Sequence, residues 1–277
     1  MHGELVAIDL ETTGLDPSQD AIIEVGAVRM LNGEITAEYS TFVDPGIAVP
    51  PHVTHITGIR SQDLMGAPKL DAVLPQIQEF VGKRPIIAHN ISFDMGFLQG
   101  RYKILLNNQR IDTYDLASVL LPRTPRYNLH SLTAEFKIQL LNAHRALDDA
   151  RATALLYWQL WHKLLTLPRS TLQEIVEAAR GLDWDVATVF ETAVQLASPL
   201  QQNHATSMAF SPAQTSRLPL KPADERQGIE ADEITQFMGE TGILSQRLPG
   251  YEYRVQQLQM AEAITESFNQ SHHLLVE

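Results

Sequence analysis

The chain has 277 residues, with 33 acidic and 21 basic side chains, a formal net charge of -12 and no cysteine. The absence of thiols excludes disulfide bonds, cysteine-ligated zinc and a cysteine nucleophile. A hydrophobic share of 44% with 19% charged residues excludes a disordered chain. No apolar run reaches the ~18 residues of a membrane helix, and no signal peptide is recognisable, so we expect a cytoplasmic protein with no membrane partner. The acidic balance argues against nucleic-acid binding, whose usual footprint is basic.

Three short apolar runs open the chain, at residues 5–10, 21–31 and 35–43. Asn32-Gly33 separates the second run from the third, and Asn-Gly between apolar-patterned runs favours a tight hairpin because both turn residues adopt positive φ. We therefore predict three antiparallel strands. The proline-rich stretch 44–58 that follows is predicted to be a loop.

Helical spacing of apolar residues predicts helices at 70–81, 93–106, 129–136 and 143–165, and short buried-strand runs occupy 85–89 and the start of 111–121. The order β-β-β-α-β-α predicts an α/β fold: a mixed sheet of three antiparallel strands followed by parallel strands, with helices on its faces. Residues 1–165 form this domain, and two short helices around Gly181 form an extension over 166–197. A Gln-, Ser- and Pro-rich stretch predicts a flexible linker over 198–230, and helical patterns resume in 231–277.

The first chemically informative segment is Asp9-Leu10-Glu11-Thr12-Thr13-Gly14. Asp9 and Glu11 are two residues apart, so in a strand both carboxylates point to the same face and repel each other unless a cation lies between them. Hard oxygen ligands of this kind suit Mg²⁺ or Mn²⁺. The following turn could direct backbone amides at a phosphate. A strand that ends in a capped polar turn is the alternative.

Two further segments place acids at the ends of secondary-structure elements. His89-Asn90-Ile91-Ser92-Phe93-Asp94 follows a short apolar strand, and His144-Arg145-Ala146-Leu147-Asp148-Asp149 precedes the long helix. One acid after a strand is commonplace. Three such segments in one α/β domain indicate a shared site.

Together, the three segments resemble the motifs of DnaQ-like exonucleases of the DEDDh subclass, over about residues 1–165. The four residues that this family has between the histidine and the acid of its third motif select Asp149 over Asp148. The resemblance implies a ribonuclease-H-like fold, removal of mononucleotides from a 3′ end, and two divalent cations, Mg²⁺ or Mn²⁺. It implies Asp9, Glu11, Asp94 and Asp149 as catalytic metal ligands, and His144 as the catalytic general base, because an imidazole accepts a proton near neutral pH.

Around these residues we expect substrate contacts from Leu10, Thr12, Thr13, Gly14, Leu15, His55, Asn90 and Phe93. Leu15 would wedge against the terminal base, and Phe93 would stack on a base. Core packing is the alternative for Phe93 and the favoured interpretation for Phe97, while His55 fits a substrate channel and a plain surface equally well. His89 and Asn90 are expected to order the loop beside Asp94. Asp112 is expected to cap or hydrogen-bond near the site, and Glu24, Asp115 and Asp148 are interpreted as structural.

The last stretch resembles the opening of DinG/XPD-type helicases. Arg254, Gln257 and Met260 match an adenine-contacting pattern, and the final His-Leu-Leu-Val-Glu matches the run that leads into the phosphate loop. No Gly-x-x-x-x-Gly-Lys-Ser/Thr occurs in the sequence, so the ATP site is incomplete and we expect no helicase activity. We expect residues 231–277 to be a truncated helicase start, as in DinG-type proteins with an N-terminal exonuclease domain. A plain amphipathic helix is the alternative.

Three functions remain open at this point: a 3′-to-5′ exonuclease on single-stranded DNA, an exoribonuclease, and a nucleic-acid-binding regulatory module with little turnover. The charge permits all three. Residues 1–165 contain 14 basic and 18 acidic side chains, against 7 and 15 in residues 166–277, so most of the excess negative charge lies outside the domain. We still expect weak binding to the phosphate backbone of the nucleic acid and an affinity that depends only weakly on salt concentration.

Overall fold

A computed structural model describes residues 3–140, 144–197, 228–248 and 251–270, together with residues 272 and 274. The chain divides into two compact units, Met1–Ala209 and Phe210–Glu277. Residues 198–227, which are most of the predicted linker, lie outside the described residues. No helix in the described ranges has the length and apolarity that a bilayer crossing requires.

The first unit is built on a mixed sheet of five strands. The three opening strands are β1 (Leu5–Thr12), β2 (Ile22–Leu31) and β3 (Glu34–Phe42), paired antiparallel. Asn32 and Gly33 have φ of 52° and 85°, as the predicted hairpin requires. The shorter strands β4 (Ile86–Ala88) and β5 (Arg110–Asp112) add in parallel, which gives the order β3-β2-β1-β4-β5. The predicted fold class is confirmed.

The segment predicted as a loop between 44 and 58 contains a helix, α1 (Pro51–Thr57), so that part of the prediction is wrong. Proline is well tolerated in a first helical turn, where its missing N–H has no partner to lose. Gly58 ends α1 in the left-handed conformation at φ 74°, and Val53 and Thr57 are buried. Helix α2 (Leu70–Val81) follows as predicted.

The predicted helix 93–106 is displaced and shorter than expected. Helix α3 (Ile91–Met95) begins two residues earlier, and a π-helical turn, Gly96–Arg101, continues it. Positive φ at Lys103 and Leu105 then ends the helical path, so the apolar residues beyond 101 pack from an irregular segment.

Helices α4 (Thr113–Leu120), α5 (Leu129–Glu135) and α6 (Ala146–Leu165) complete the region in which the three acidic segments lie. Helix α6 begins three residues later than predicted and packs across β1 and β2. Helices α7 (Arg169–Ala178) and α8 (Ala187–Leu196) form the predicted extension. Their buried side chains join the core that contains α6, so the extension packs as part of the first unit.

Alternating residues of β1 supply the cores on the two faces of the sheet. Leu5 and Ala7 pack on the face that α6 covers, whereas Val6, Ile8 and Leu10 pack with α2 and α3 on the other. Because side chains alternate along a strand, Asp9 and Glu11 share the α6 face. This parity brings the first acidic pair toward the start of α6.

The second unit contains α9 (Ala231–Met238), α10 (Ile243–Arg247) and α11 (Val255–Gln270), where helical patterns were predicted. The Tyr251 hydroxyl donates to the Met238 carbonyl at 2.6 Å, and Asn269 exchanges two hydrogen bonds with the Ile229 backbone. In α11 and the segment before it, Arg254 pairs with Glu252, and Met260 is half exposed.

Candidate active site

The start of α6 packs closely on β2 at Gly26. Gly26 lies opposite Asp9 in the β1–β2 register, and Glu24 lies opposite Glu11. A Cβ atom on Gly26 would lie 2.1 Å from the Ala146 carbonyl carbon. Only glycine at this position lets α6 begin directly over β2, next to the carboxylates of β1.

The third acidic segment reaches the site through the first turn of α6. Asp149 is buried, and its Oδ2 accepts the His144 backbone N–H at 3.0 Å. His144 adopts φ 62°, which folds the segment back over the helix start. Possible ligand atoms of Glu11, His144 and Asp149 all lie within 4.8 Å of one another. Asp148 instead pairs with Arg151 at 2.8 Å. The structure thus gives the two neighbouring acids different partners, in line with the motif spacing that selects Asp149.

Asp94 is held at the site by the loop between β4 and α3. Asp112 accepts the backbone N–H groups of Asn90, Ile91 and Tyr114 at 2.8–3.0 Å, which fixes the start of α3. His89 bridges Thr113 Oγ1 at 2.9 Å and the Tyr127 carbonyl at 2.8 Å. The expected hydrogen-bonding role of Asp112 and the ordering roles of His89 and Asn90 agree with these contacts.

The carboxylates perturb one another strongly. Burial, followed by the charges of Asp94, Asp149 and Glu11, raises the pKa of Asp9 well above its usual range. Burial and the Asp149 charge raise the pKa of Glu11 to about 8. Burial also raises the pKa of Asp149 to about 6 and that of Asp94 well above its usual range. Four acids are thus close enough to disfavour one another's ionisation.

Two buried carboxylate oxygens in this cluster have no hydrogen-bond partner in the part of the chain that the structure describes. Asp94 Oδ1 and Asp149 Oδ1 are shielded from solvent and accept no hydrogen bond from the described residues. Unpaired buried carboxylate oxygens are costly unless a cation or donor satisfies them. A set of four carboxylates with an adjacent imidazole suits hard divalent cations, so the residues present fit the expected metal ions.

The residues of the first motif that were expected to contact the substrate differ in which of their groups are free to do so. Leu10 packs its side chain in the core, so only its backbone can face a substrate. The Thr12 hydroxyl donates to the Gly14 carbonyl, and the Thr13 hydroxyl donates to Asp20 and accepts the Ala21 N–H. These threonines therefore shape the turn. Leu15 is 83% exposed, as a residue that wedges against a base would have to be.

The remaining expected contacts lie on other elements. His55 is exposed in the last turn of α1, and Asn90 is exposed with φ 67°. Phe93 is half-buried against Phe97, with ring centroids 5.5 Å apart, and Phe97 is fully buried in the core as expected. The Phe93 ring is thus only partly available for stacking on a base.

An ion pair that lies beside the acidic cluster was not predicted from the sequence. Glu24 is 3% exposed in its side chain and pairs with Arg145 at 2.9 Å; it also accepts the Ala146 N–H at 3.2 Å. The contact ties β2 to the start of α6. The available signal was an acid within the apolar run Ile-Ile-Glu-Val-Gly-Ala-Val, because a buried charge needs a partner.

The comparisons with known proteins identify the family of the region that contains these residues. The family model RNase_T, described as Exonuclease, matches residues 6–157. Over 154 residues the chain is 42% identical to the PolC-type DNA polymerase III of Clostridium perfringens, covering 54% of this chain and 11% of that protein. It is 28% identical over 285 residues to the 3′-5′ exonuclease DinG of Bacillus subtilis, covering 98% of this chain and 30% of that protein.

A solved structure supports the fold. Escherichia coli exonuclease I in complex with a dT13 oligonucleotide aligns with a TM-score of 0.52 and 22% identity, over 65% of this chain and 44% of that one. The chain spans less than half of the length of each of these relatives. The family model covers more than half of the chain, including all three acidic segments. The chain belongs to the RNase_T exonuclease family.

Proposed function

We propose that the first unit is a metal-dependent 3′-to-5′ exonuclease that removes nucleoside 5′-monophosphates from single-stranded DNA. The observation that carries the proposal is the convergence of Asp9, Glu11, Asp94 and Asp149 with His144 at one edge of the sheet. The names of the relatives support the direction and the substrate: one is a 3′-5′ exonuclease, another a DNA polymerase III, and the aligned structure holds a DNA oligonucleotide.

In this proposal Asp9, Glu11, Asp94 and Asp149 hold divalent cations, which when bound would stabilise the charge on the attacking and leaving oxygens. Asp9 is assigned the central place among the ligands, since the charges of the other three acids all contribute to its raised pKa. His144, exposed beside Glu11 and Asp149, accepts the proton of the attacking water. Asp112 fixes the loop that presents Asp94, and the contact between the Glu24 carboxylate and the Ala146 N–H fixes the start of the helix that presents Asp149.

A 5′-labelled DNA oligonucleotide incubated with Mg²⁺ or Mn²⁺ tests this function. We expect progressive shortening from the 3′ end, no reaction in EDTA and no reaction on a blocked 3′ end. Asp149→Asn should lower the rate at least about a hundredfold, because it removes a carboxylate that would hold a cation needed to offset charge in the transition state.

The matched control is Asp148→Asn, one position away in the same helical turn. Asp148 faces Arg151, so this variant should keep the rate within a few-fold of the original. Equal losses in both variants would contradict the assignment of Asp149. An RNA oligonucleotide of the same sequence measures the sugar preference, and faster RNA trimming would replace DNA as the proposed substrate.

A further inference from the structure

A cavity lies beside the acidic cluster, on the side of β3 and α1. Its volume is about 450 Å³, and it is lined by Phe42, Thr57, Gly58, Ile59, Asp63 and Arg145. Arg145 directly follows His144, and its partner Glu24 lies opposite Glu11 in the sheet. The cavity, here named the Arg145 cavity, is therefore next to the proposed catalytic groups.

Contacts with two residues, Glu24 and Phe42, orient the Arg145 guanidinium, and its Nη1 group stays available for a ligand. Its Nε and Nη2 donate to Glu24 at 2.9–3.3 Å, and its guanidinium lies 5.3 Å from the centre of the Phe42 ring. Within the described ranges, Nη1 donates no hydrogen bond, and the side chain remains 43% exposed. A guanidinium fixed in this way presents a donor to the cavity at little further entropic cost.

The rest of the lining suits a piece of a nucleic-acid strand. The Phe42 ring and Ile59 provide apolar walls. A Cβ atom added at Gly58 would meet no other atom within 4 Å, so the cavity is open beside Gly58. Asp63, the acidic member of the lining, already accepts the Arg60 backbone N–H at 2.8 Å through Oδ2. Arginine donors are well matched to phosphate oxygens.

We propose that the Arg145 cavity binds the phosphodiester on the 5′ side of the scissile one, with Arg145 as its ligand and Glu24 as the residue that positions Arg145. This assignment rests on the proposed exonuclease function. It makes Arg145 important for substrates with more than one phosphodiester and dispensable for a substrate that has only the scissile ester.

Two substrates separate these cases: the oligonucleotide dT8 and the p-nitrophenyl ester of thymidine 5′-monophosphate, which has no upstream phosphate. Arg145→Gln should raise the KM for dT8 about tenfold, the value of one lost charge-assisted hydrogen bond. For the p-nitrophenyl ester, kcat/KM should stay within about twofold. Equal losses on both substrates would show that Arg145 only orders the site, and unchanged kinetics on both would also overturn the proposal.

Arg151→Gln is the matched control, because it removes the same charge from α6, the helix that Arg145 directly precedes, while its contacts, Glu38 and Asp148, lie outside the cavity. It should leave the KM for dT8 unchanged. Arg145→Gln leaves the buried Glu24 carboxylate without its cation, so the double variant Glu24→Gln/Arg145→Gln is measured as well. It should show the same substrate-dependent defect with the thermal unfolding temperature of the original chain.

A binding measurement distinguishes failure of this proposal from failure of the exonuclease function. In an Asp9→Asn background, the affinity for 5′-labelled dT8 is measured by fluorescence anisotropy over a range of salt concentrations. Loss of one phosphate contact should reduce the slope of log affinity against log salt by about 0.7. If the original chain hydrolyses neither substrate, the exonuclease proposal fails, and the slope alone decides: an unchanged slope in Arg145→Gln overturns the cavity assignment.

Discussion

Replacing Gly26 by alanine would test whether the close approach of α6 to β2 sets the geometry of the acidic cluster. The added Cβ would lie 2.1 Å from the Ala146 carbonyl carbon and 2.2 Å from the Leu147 nitrogen, whereas ordinary contact begins at 3.4 Å. Both neighbours are backbone atoms and have no rotamer to change. The start of α6 must therefore retreat by about 1.3 Å, and Asp149 must retreat with it.

A displacement of about 1 Å in a catalytic group costs on the order of a hundredfold in rate. Overpacking of this kind costs about 1–3 kcal/mol of stability. We therefore expect Gly26→Ala to remain folded, with a lowered unfolding temperature and a kcat on dT8 reduced about a hundredfold. Thermal unfolding and steady-state hydrolysis of dT8 measure the two effects separately.

The matched control is Gly100→Ala, in the exposed end of the π-helical turn. There the nearest neighbour of an added Cβ is the Met95 carbonyl oxygen at 3.7 Å, an ordinary contact. This variant should keep both rate and stability. A Gly26→Ala protein with the original rate would refute the reasoning, because α6 would then tolerate the displacement without moving the acids.

Three other outcomes follow from contacts in the site. Without divalent cations, stability should fall as the pH rises from about 4 to about 8, because the raised pKa values of Asp149 (about 6) and Glu11 (about 8) make the folded chain bind more protons than the unfolded one. Mn²⁺ should abolish that trend, and a flat profile in EDTA would contradict it. Asp112→Ala removes the acceptor of three backbone N–H groups and should cost at least about 3 kcal/mol in denaturant unfolding. A smaller loss would mean that solvent satisfies these groups. Leu15→Ala should leave stability within about 0.5 kcal/mol, since the side chain is exposed, but raise the KM for dT8. An unchanged KM would remove the wedge hypothesis.

Local chemistry made part of this architecture predictable. Asn32-Gly33 determines its own turn, and the two-residue spacing of Asp9 and Glu11 determines their shared face, because both depend only on neighbours in sequence. Helix α1 was missed because Pro50-Pro51 is typical of loops, although proline also fits a first helical turn.

Features that depend on distant partners could not be predicted in this way. Arg145 pairs with Glu24 from 121 positions away, and the requirement for glycine at position 26 arises only once α6 packs on β2. The π-helical turn likewise depends on tertiary contacts: Gly96 lies against Pro17, and Arg101 donates to the Pro17 carbonyl at 2.8 Å. Sequence periodicity contains no information about such encounters.

The order in which the acids occur along the chain has a consequence for biosynthesis. Asp9 and Glu11 are synthesised before Asp149, which follows about 140 residues later, and helix α6 must pack on β1 and β2 before Asp149 reaches the first two acids. Synthesis at ~5–20 residues per second separates these events by several seconds or more. A nascent chain would thus hold its first two acids without their partner, and nuclease activity would appear only once α6 had docked. Turnover would then serve as a direct reporter of completed folding.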